Sequence, residues 1–265
     1  MHFRQVRAAH NRASAPDTKL SVLTKTRAKA RRTMPNMTPY VLHYAPDNAS
    51  LIIRLVLEEM GLPYSTQLVD RSTRQQDSAD YRTVNPAGLI PALETPDGPI
   101  FETGAILLWL ADQHEMMAPS PKSPDRGHFL KWLFFTANTV HPALRMTFYP
   151  EKYIAPEAER VMRSSLQGVL QTQLSLLENA ADVAWPKGQE PTVLAYYIAC
   201  ILRWSALYPA GETDWFDLTR YPALSALVTG LETRDAVRVA QAAEGLGPTP
   251  FTVPHNCTPP EGSAI

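Results

Sequence analysis

Asn85-Pro-Ala-Gly-Leu-Ile-Pro91-Ala-Leu93 is the stretch on which the fold turns. Two prolines and a glycine in seven residues exclude a helix and call for a fixed loop that runs into a short strand at Leu93. The turn Pro96-Asp97-Gly98 and the β-prone pair Ile100-Phe101 follow, so a hairpin is expected. Glu102-Thr103 then opens a helix that runs to His114 and carries Ala105, Leu108, Trp109 and Ala111.

On the N-terminal side, Tyr40-Val-Leu-His-Tyr-Ala45 is a β-rich run ended by Pro46. Asp47-Asn48-Ala49-Ser50 offers several N-cap residues, and a mostly apolar helix from Leu51 to Met60 closes at Gly61. Pro63 to Asp70 reads as a second strand, and a turn begins between Tyr81 and Pro86. The order is β-α-β, an irregular stretch, then β-β-α, within residues 37–117. Ala118-Pro-Ser-Pro-Lys-Ser-Pro124 reads as a linker. Beyond it the pattern is helical over 125–245, with helices expected at 125–148, 157–182, 192–207 and 221–243. His141-Pro142 should kink the first of these. Residues 246–265 hold five prolines and read as a loop packed on the surface or frayed. The expected fold class is an α/β thioredoxin-like N-terminal domain followed by an all-α helical C-terminal domain.

Composition narrows the functional classes. The chain has 265 residues, 45% hydrophobic, and no apolar run approaching the roughly 18 residues of a membrane span. The net charge of −1 averages two unlike pieces. Nine of the 25 Lys/Arg and one of the 26 Asp/Glu lie in residues 1–36, leaving 16 cations against 25 acids, net −9, for 37–265. An acidic body is a poor nucleic-acid binder. The basic segment 1–36 reads as a disordered extension, a transit-type presequence or an upstream start ahead of Met34 and Met37. Cys200 and Cys257 cannot build a disulfide framework, which points to a reducing, cytoplasmic setting. No His/Cys/Asp cluster has metal-ligand spacing, so no metal is expected.

Asn85-Pro-Ala-Gly-Leu-Ile-Pro91-Ala-Leu93 resembles the Asn-Pro-x-Gly-x-(Ile/Val)-Pro-x-Leu signature of cytosolic glutathione transferases. Phe101-Glu102-Thr103 with Ile106 and Leu110 resembles a second segment of that family, and Tyr44 to Tyr64 resembles its first strand and helix. Tyr221-Pro-Ala-Leu224 and Arg234-Asp-Ala-Val237 resemble its last long helices. The resemblance spans about 40–245 and is closest to the bacterial beta-like group. It implies a homodimer with glutathione as co-substrate, acting on a small hydrophobic electrophile, with detoxification as the role. The alternative is a non-catalytic glutathione-binding or regulatory protein on the same fold.

Residue by residue, the resemblance implies that Ile90-Pro91 is cis and frees the Ile90 backbone for the cysteinyl unit of glutathione. Thr103 would hold the γ-glutamyl carboxylate at a helix N-terminus, and Glu102 the amine. His141 stands where beta-like relatives carry a histidine facing the thiol. The thiol-activating position departs from the family: Ala49 replaces the beta-like cysteine, and Asp47 lies where theta- and zeta-like members have serine. Ser50, Asn48 and Tyr44 remain as candidates, aided by the helix start. Trp132, Phe135, Asn138, Met146 and Phe148 could line a second-substrate pocket or simply pack in the core. With no cysteine near residues 46–50, an enzyme–glutathione mixed disulfide is not expected. A further departure is Thr192-Val-Leu-Ala195, where Ala195 replaces the acid of a capping box.

Overall fold

The computed structural model describes residues 40–181 and 190–264; the segment 1–36 and the expected helix end at 182 lie outside them. Its strands are β1 (Tyr40–Tyr44), β2 (Tyr64–Leu68), β3 (Ala92–Thr95) and β4 (Gly98–Phe101). Its helices are α1 (Ser50–Met60), α2 (Ala79–Val84), α3 (Thr103–His114), α4 (Arg126–Phe135), α5 (His141–Phe148), α6 (Glu159–Asn179), α7 (Val193–Leu207), α8 (Pro222–Leu231) and α9 (Asp235–Glu244). The strands form one mixed sheet in the order β2-β1-β3-β4. β1 and β2 are parallel, which requires a crossover, and α1 supplies it. β3 runs antiparallel to both β1 and β4. The thioredoxin-like N-terminal domain and its helical partner are thus the observed architecture.

Leu51, Ile52, Ile53, Leu55, Val56 and Leu57 go right round α1, and all are fully buried. A helix apolar on every side must be covered on every side. The sheet and α3 cover part of it, and α7 and α9 from the helical half cover the rest. The two halves therefore share one core.

Three local differences from the sequence reading have clear causes. The irregular stretch contains α2, whose N-terminus is capped by the Ser78 hydroxyl accepting from Tyr81 N–H at 3.2 Å. The single helix expected at 125–148 is α4 and α5 joined by a π-helical turn over Thr136–Val140, just before Pro142, whose missing N–H disturbs the ladder. The helix expected at 221–243 divides at Thr233 and Arg234 into α8 and α9. At the start of α7, Thr192 Oγ1 has no hydrogen-bond partner, so the hydroxyl half of a capping box is missing as well as the acid half that Ala195 removes. The Met117 carbonyl accepts from Val193 N–H at 2.9 Å instead.

One polar cluster crosses the shared core. Arg203 on α7 is fully buried. Its guanidinium meets Asp47 Oδ1 at 2.8 Å and Oδ2 at 2.9 Å. Trp204 Nε1 and Tyr208 Oη also donate to that carboxylate, at 2.9 and 2.8 Å. Arg203 donates in addition to the carbonyls of Pro250 and His255, each at 2.9 Å. These last two bonds fasten the C-terminal segment, which returns to the first domain. Gly245 (φ 64) makes the return possible, since a Cβ there would stand 1.9 Å from the Thr258 carbonyl oxygen. Tyr44 Oη then donates to the Glu261 carboxylate, and Arg71 to the Ala264 carbonyl. This segment, read from sequence as a surface or frayed loop, buries Leu246 and Phe251.

Removing one member of a buried ion pair leaves the other charged and unpaired. Asp47→Ala is expected to lower unfolding free energy by about 3–5 kcal/mol in urea denaturation. Adding Arg203→Met to it should cost less than the two single changes summed; strict additivity would mean the pair does not interact.

Candidate functional site

The loop 85–91 is tied by its own residues. Asn85 is buried; its Nδ2 donates to the Leu89 carbonyl at 2.6 Å, and its Oδ1 accepts from Ala87 N–H at 3.0 Å. Tyr81 Oη donates to the same Leu89 carbonyl at 2.7 Å. The Ile90–Pro91 peptide is cis, as is Tyr208–Pro209, which the sequence did not signal. Among the described residues no hydrogen bond engages the Ile90 N–H or carbonyl. A backbone edge is thereby offered to a ligand.

That edge lines a cleft of about 1160 Å³ between the sheet domain and the helical domain. Glu102 and Thr103 line it as well. Glu102 (φ 73) precedes α3 and makes no side-chain cap, so the first N–H groups of α3 stay open for an anion. The exposed Glu102 carboxylate has no ion-pair partner among the described residues. Ile90, Pro91, Glu102, Thr103 and His141 therefore share one cleft.

The three candidates for thiol activation separate. Asn48 lines the cleft at the start of α1; its Oδ1 accepts from Ala49 N–H at 2.8 Å, which leaves the amide NH₂ as a donor. Ser50 does not line it. Its hydroxyl is fully buried, donates to the Ala45 carbonyl at 3.0 Å and accepts from Ala45 N–H at 3.3 Å. Tyr44 is also buried and outside the cleft wall, with its hydroxyl committed to Glu261 and its acidity suppressed first by burial. The expectation for Ser50 and Tyr44 is corrected on these grounds: the rotation of α1 turns Ser50 inward, and Tyr44, at the end of β1, points to the returning C-terminal segment.

His141 Nδ1 lies 2.7 Å from Tyr197 Oη. No other acceptor for the Tyr197 proton occurs among the described residues, and burial keeps that phenol protonated. Tyr197 therefore donates to Nδ1, and the histidine carries its proton on Nε2. Burial, then the Arg145 charge, push His141 down to about 4, so it is neutral at physiological pH. Of the five candidates for a second-substrate wall Phe148 lines the cleft, and Trp132, Phe135, Asn138 and Met146 do not.

Several lining residues carried no sequence signal. Tyr197, Trp204 and Tyr208 come from the buried run of α7 and its end. Arg71, Arg74 and Gln76 come from the stretch before α2, where Arg71-x-x-Arg74 beside the proline loop was the available hint. Cys257 reaches the cleft wall from the returning C-terminal segment. Burial, then the Asp47 charge, push its thiol up to about 11, so a cysteine is present but poorly ionised. Among the described residues no group of three or more His, Cys, Asp or Glu is placed to hold a metal, and no helix is long and apolar enough to cross a membrane.

Comparison with known proteins gives a consistent picture. The family pattern described as Glutathione S-transferase, N-terminal domain, matches residues 49–113. The chain is 30% identical over 210 residues to glutathione S-transferase GstA of Escherichia coli O157:H7, covering 77% of this chain and 98% of that protein. It is 29% identical over 220 residues to the disulfide-bond oxidoreductase YfcG of Escherichia coli K12, covering 78% and 96%. A sphingomonad glutathione S-transferase solved in complex with glutathione superposes with a TM-score of 0.64 at 29% identity, covering 78% of this chain and all of that one.

The His141 arrangement has a pH consequence. Its folded value lies below the ordinary 6.5, so the unfolded chain takes up the proton first as pH falls. The stability it contributes is fully present above about pH 6.5 and lost as pH drops from there toward 4. In unfolding titrations across that window, His141→Gln should show a shallower loss than the wild type; parallel curves would refute the assignment.

Proposed function

The chain belongs to the glutathione S-transferase family, and from that premise we propose that it binds glutathione in this cleft and transfers it to an electrophile. The observation that carries the reading is the gathering of complementary groups in one cavity. Glutathione has two carboxylates, one amine and a thiol. The free Ile90 backbone edge suits its cysteinyl unit. Thr103 and the open N-terminus of α3 suit its γ-glutamyl carboxylate, and Glu102 suits the amine. Arg71 stands as a cation on the same domain for the second carboxylate.

Thiol activation in this reading is shared. The N-terminus of α1 favours an anion, the Asn48 amide can donate to it, and neutral His141 can donate from Nε2. Asp47, close by, would oppose a thiolate, but Arg203 offsets part of its charge. Bound thiolate is nucleophilic near neutral pH, and the cleft supplies proximity to the electrophile. The non-catalytic alternative draws on one observation: neither Ser50 nor Tyr44 offers a free hydroxyl. The family also carries the expectation of a homodimer, to which the exposed Phe134 (49%) could contribute, and the free Cys200 and Cys257 suit a reducing cytoplasm.

Ultraviolet titration of the glutathione complex tests the proposal. The thiol pKa should fall by roughly one to two units on binding, worth about 1.4–2.8 kcal/mol. Asn48→Ala and His141→Gln should each return part of that shift, and Thr103→Ala should weaken glutathione binding about tenfold, the worth of one charge-assisted hydrogen bond. Binding without a shifted thiol would support the non-catalytic alternative.

A further inference from the structure

The helical wall of the cleft carries more positive charge than glutathione can use. The body of the chain is acidic, net −9 over 37–265, yet Arg71, Arg145 and Lys152 gather around one ring, that of Tyr149. The Lys152 ammonium lies 4.5 Å from the ring centroid, and the Arg71 and Arg145 guanidinium carbons lie 5.8 and 6.0 Å from it. Arg145 also stands 5.7 Å from the centroid of Tyr153. The hydrogen bonds of this group go to neutral oxygens. Arg71 donates to Tyr149 Oη at 2.8 Å and to the Ala264 carbonyl, and Arg145 donates to Tyr153 Oη.

Charges along the cleft can be matched to their partners. Asp47 is taken by Arg203, and Asp77 by Arg74 and Arg82. Glu102 is left for the ligand's amine, the start of α3 for one ligand carboxylate and Arg71 for the other. Arg145 and Lys152 remain, both lining the cleft, and among the described residues neither has a carboxylate within 4 Å. Burial and Arg145 already hold the Lys152 ammonium below its usual range; Glu151 and Asp77 pull it back, and Arg71 adds to the repulsion. Like charges crowded on a wall call for an anion between them.

We propose that the second-substrate side of the cleft takes an anionic electrophile, a planar aromatic bearing a carboxylate or similar group, held by Lys152 and Arg145 against Tyr149 and Tyr153. The inference rests on the transferase reading and specifies its substrate class. In the reaction the glutathione thiolate attacks the ring carbon bearing a halide, forming the C–S bond. The C–halogen bond then breaks, the halide leaves with the bonding pair, and the thiol proton has already passed to solvent.

Chlorodinitrobenzene and its carboxylated counterpart, chlorodinitrobenzoate, differ in the charge that matters. For the full chain, the ratio of kcat/KM for the benzoate over the neutral arene should exceed the ratio of their uncatalysed rates with glutathione by about tenfold, the worth of one charge-assisted hydrogen bond. Lys152→Gln should remove most of that excess, Lys152→Arg should keep it, and Lys152→Glu should turn it into a preference for the neutral arene. A structural role alone would lower both rates together. A ratio equal to the uncatalysed one overturns the proposal. So does a Lys152→Gln variant that weakens glutathione itself and leaves the ratio unmoved.

If the wild type turns over neither arene, the transferase reading fails separately, and equilibrium binding of the two S-aryl glutathiones decides. Tighter binding of the carboxylated conjugate, lost in Lys152→Gln, upholds the anion site. Equal affinities reject it.

Discussion

The Asp47 carboxylate, met in bidentate fashion by the Nε–Nη2 edge of the Arg203 guanidinium inside the shared core, sets the geometry on which the cleft depends. Desolvating two charges costs several kcal/mol per ion, and their attraction repays this only when the remaining hydrogen-bonding capacity is filled. Here it is filled: four donor bonds reach the carboxylate, and four leave the guanidinium. Along α7 every residue from Val193 to Ser205 is buried, and most are apolar. Such a surface could slide against α1 with little penalty, whereas a bidentate pair tolerates one register. That register puts the start of α1 opposite His141 and Tyr197. The same guanidinium holds the Pro250 and His255 carbonyls, so the segment that forms another wall depends on the same bond set.

Charge balance follows from that arrangement. A bare carboxylate at Asp47 would disfavour an anion at the α1 N-terminus, cancelling the modest attraction of the helix end, typically about 0.3–1 kcal/mol. Pairing it with Arg203 reduces the penalty without removing the hydrogen bonds that fix the loop. A second buried pair stands behind the first. Arg54 meets the Glu244 carboxylate at 2.7 Å, while Glu244 accepts from Asp47 N–H at 2.8 Å. Burial pulls Glu244 up and Arg54 opposes it, and the two contacts bind α9 to α1 and to the loop that precedes it.

What the sequence made legible is what short-range hydrogen bonding decides. Asn85, Leu89 and the Ile90–Pro91 bond lie within seven residues, and their contacts are mutual, so residue identity and spacing carry the geometry. Glu102-Thr103 is legible for the same reason, since a helix start is a local event. Ser50 was not, because its orientation depends on the rotation of α1, and α1 is too uniformly apolar to reveal which side faces the cleft. Arg203 was hidden for the opposite reason: inside an apolar run a single arginine reads as an anomaly until its partner, 156 residues away, is placed. Cys257 and Ala264 reach the cleft only through the return of the C-terminal segment, which Gly245 permits at one position.

Protein-side and ligand-side chemistry can now be distinguished. Cys257 lines the cleft, but burial and the nearby Asp47 charge keep its thiol protonated, so in the proposed reaction nucleophilic sulfur is left to glutathione. Neutral His141 fits that division, because it can donate a hydrogen bond to a thiolate without becoming its counter-ion. Arg145 connects the two walls. Its charge is the second cause, after burial, of the low basicity of His141. An anion paired with Arg145 offsets that share and leaves burial alone to act, which raises the histidine's proton affinity. If the proposed anion site is filled, its occupation and the protonation of His141 are coupled through one guanidinium, with the sign given by Coulomb's law.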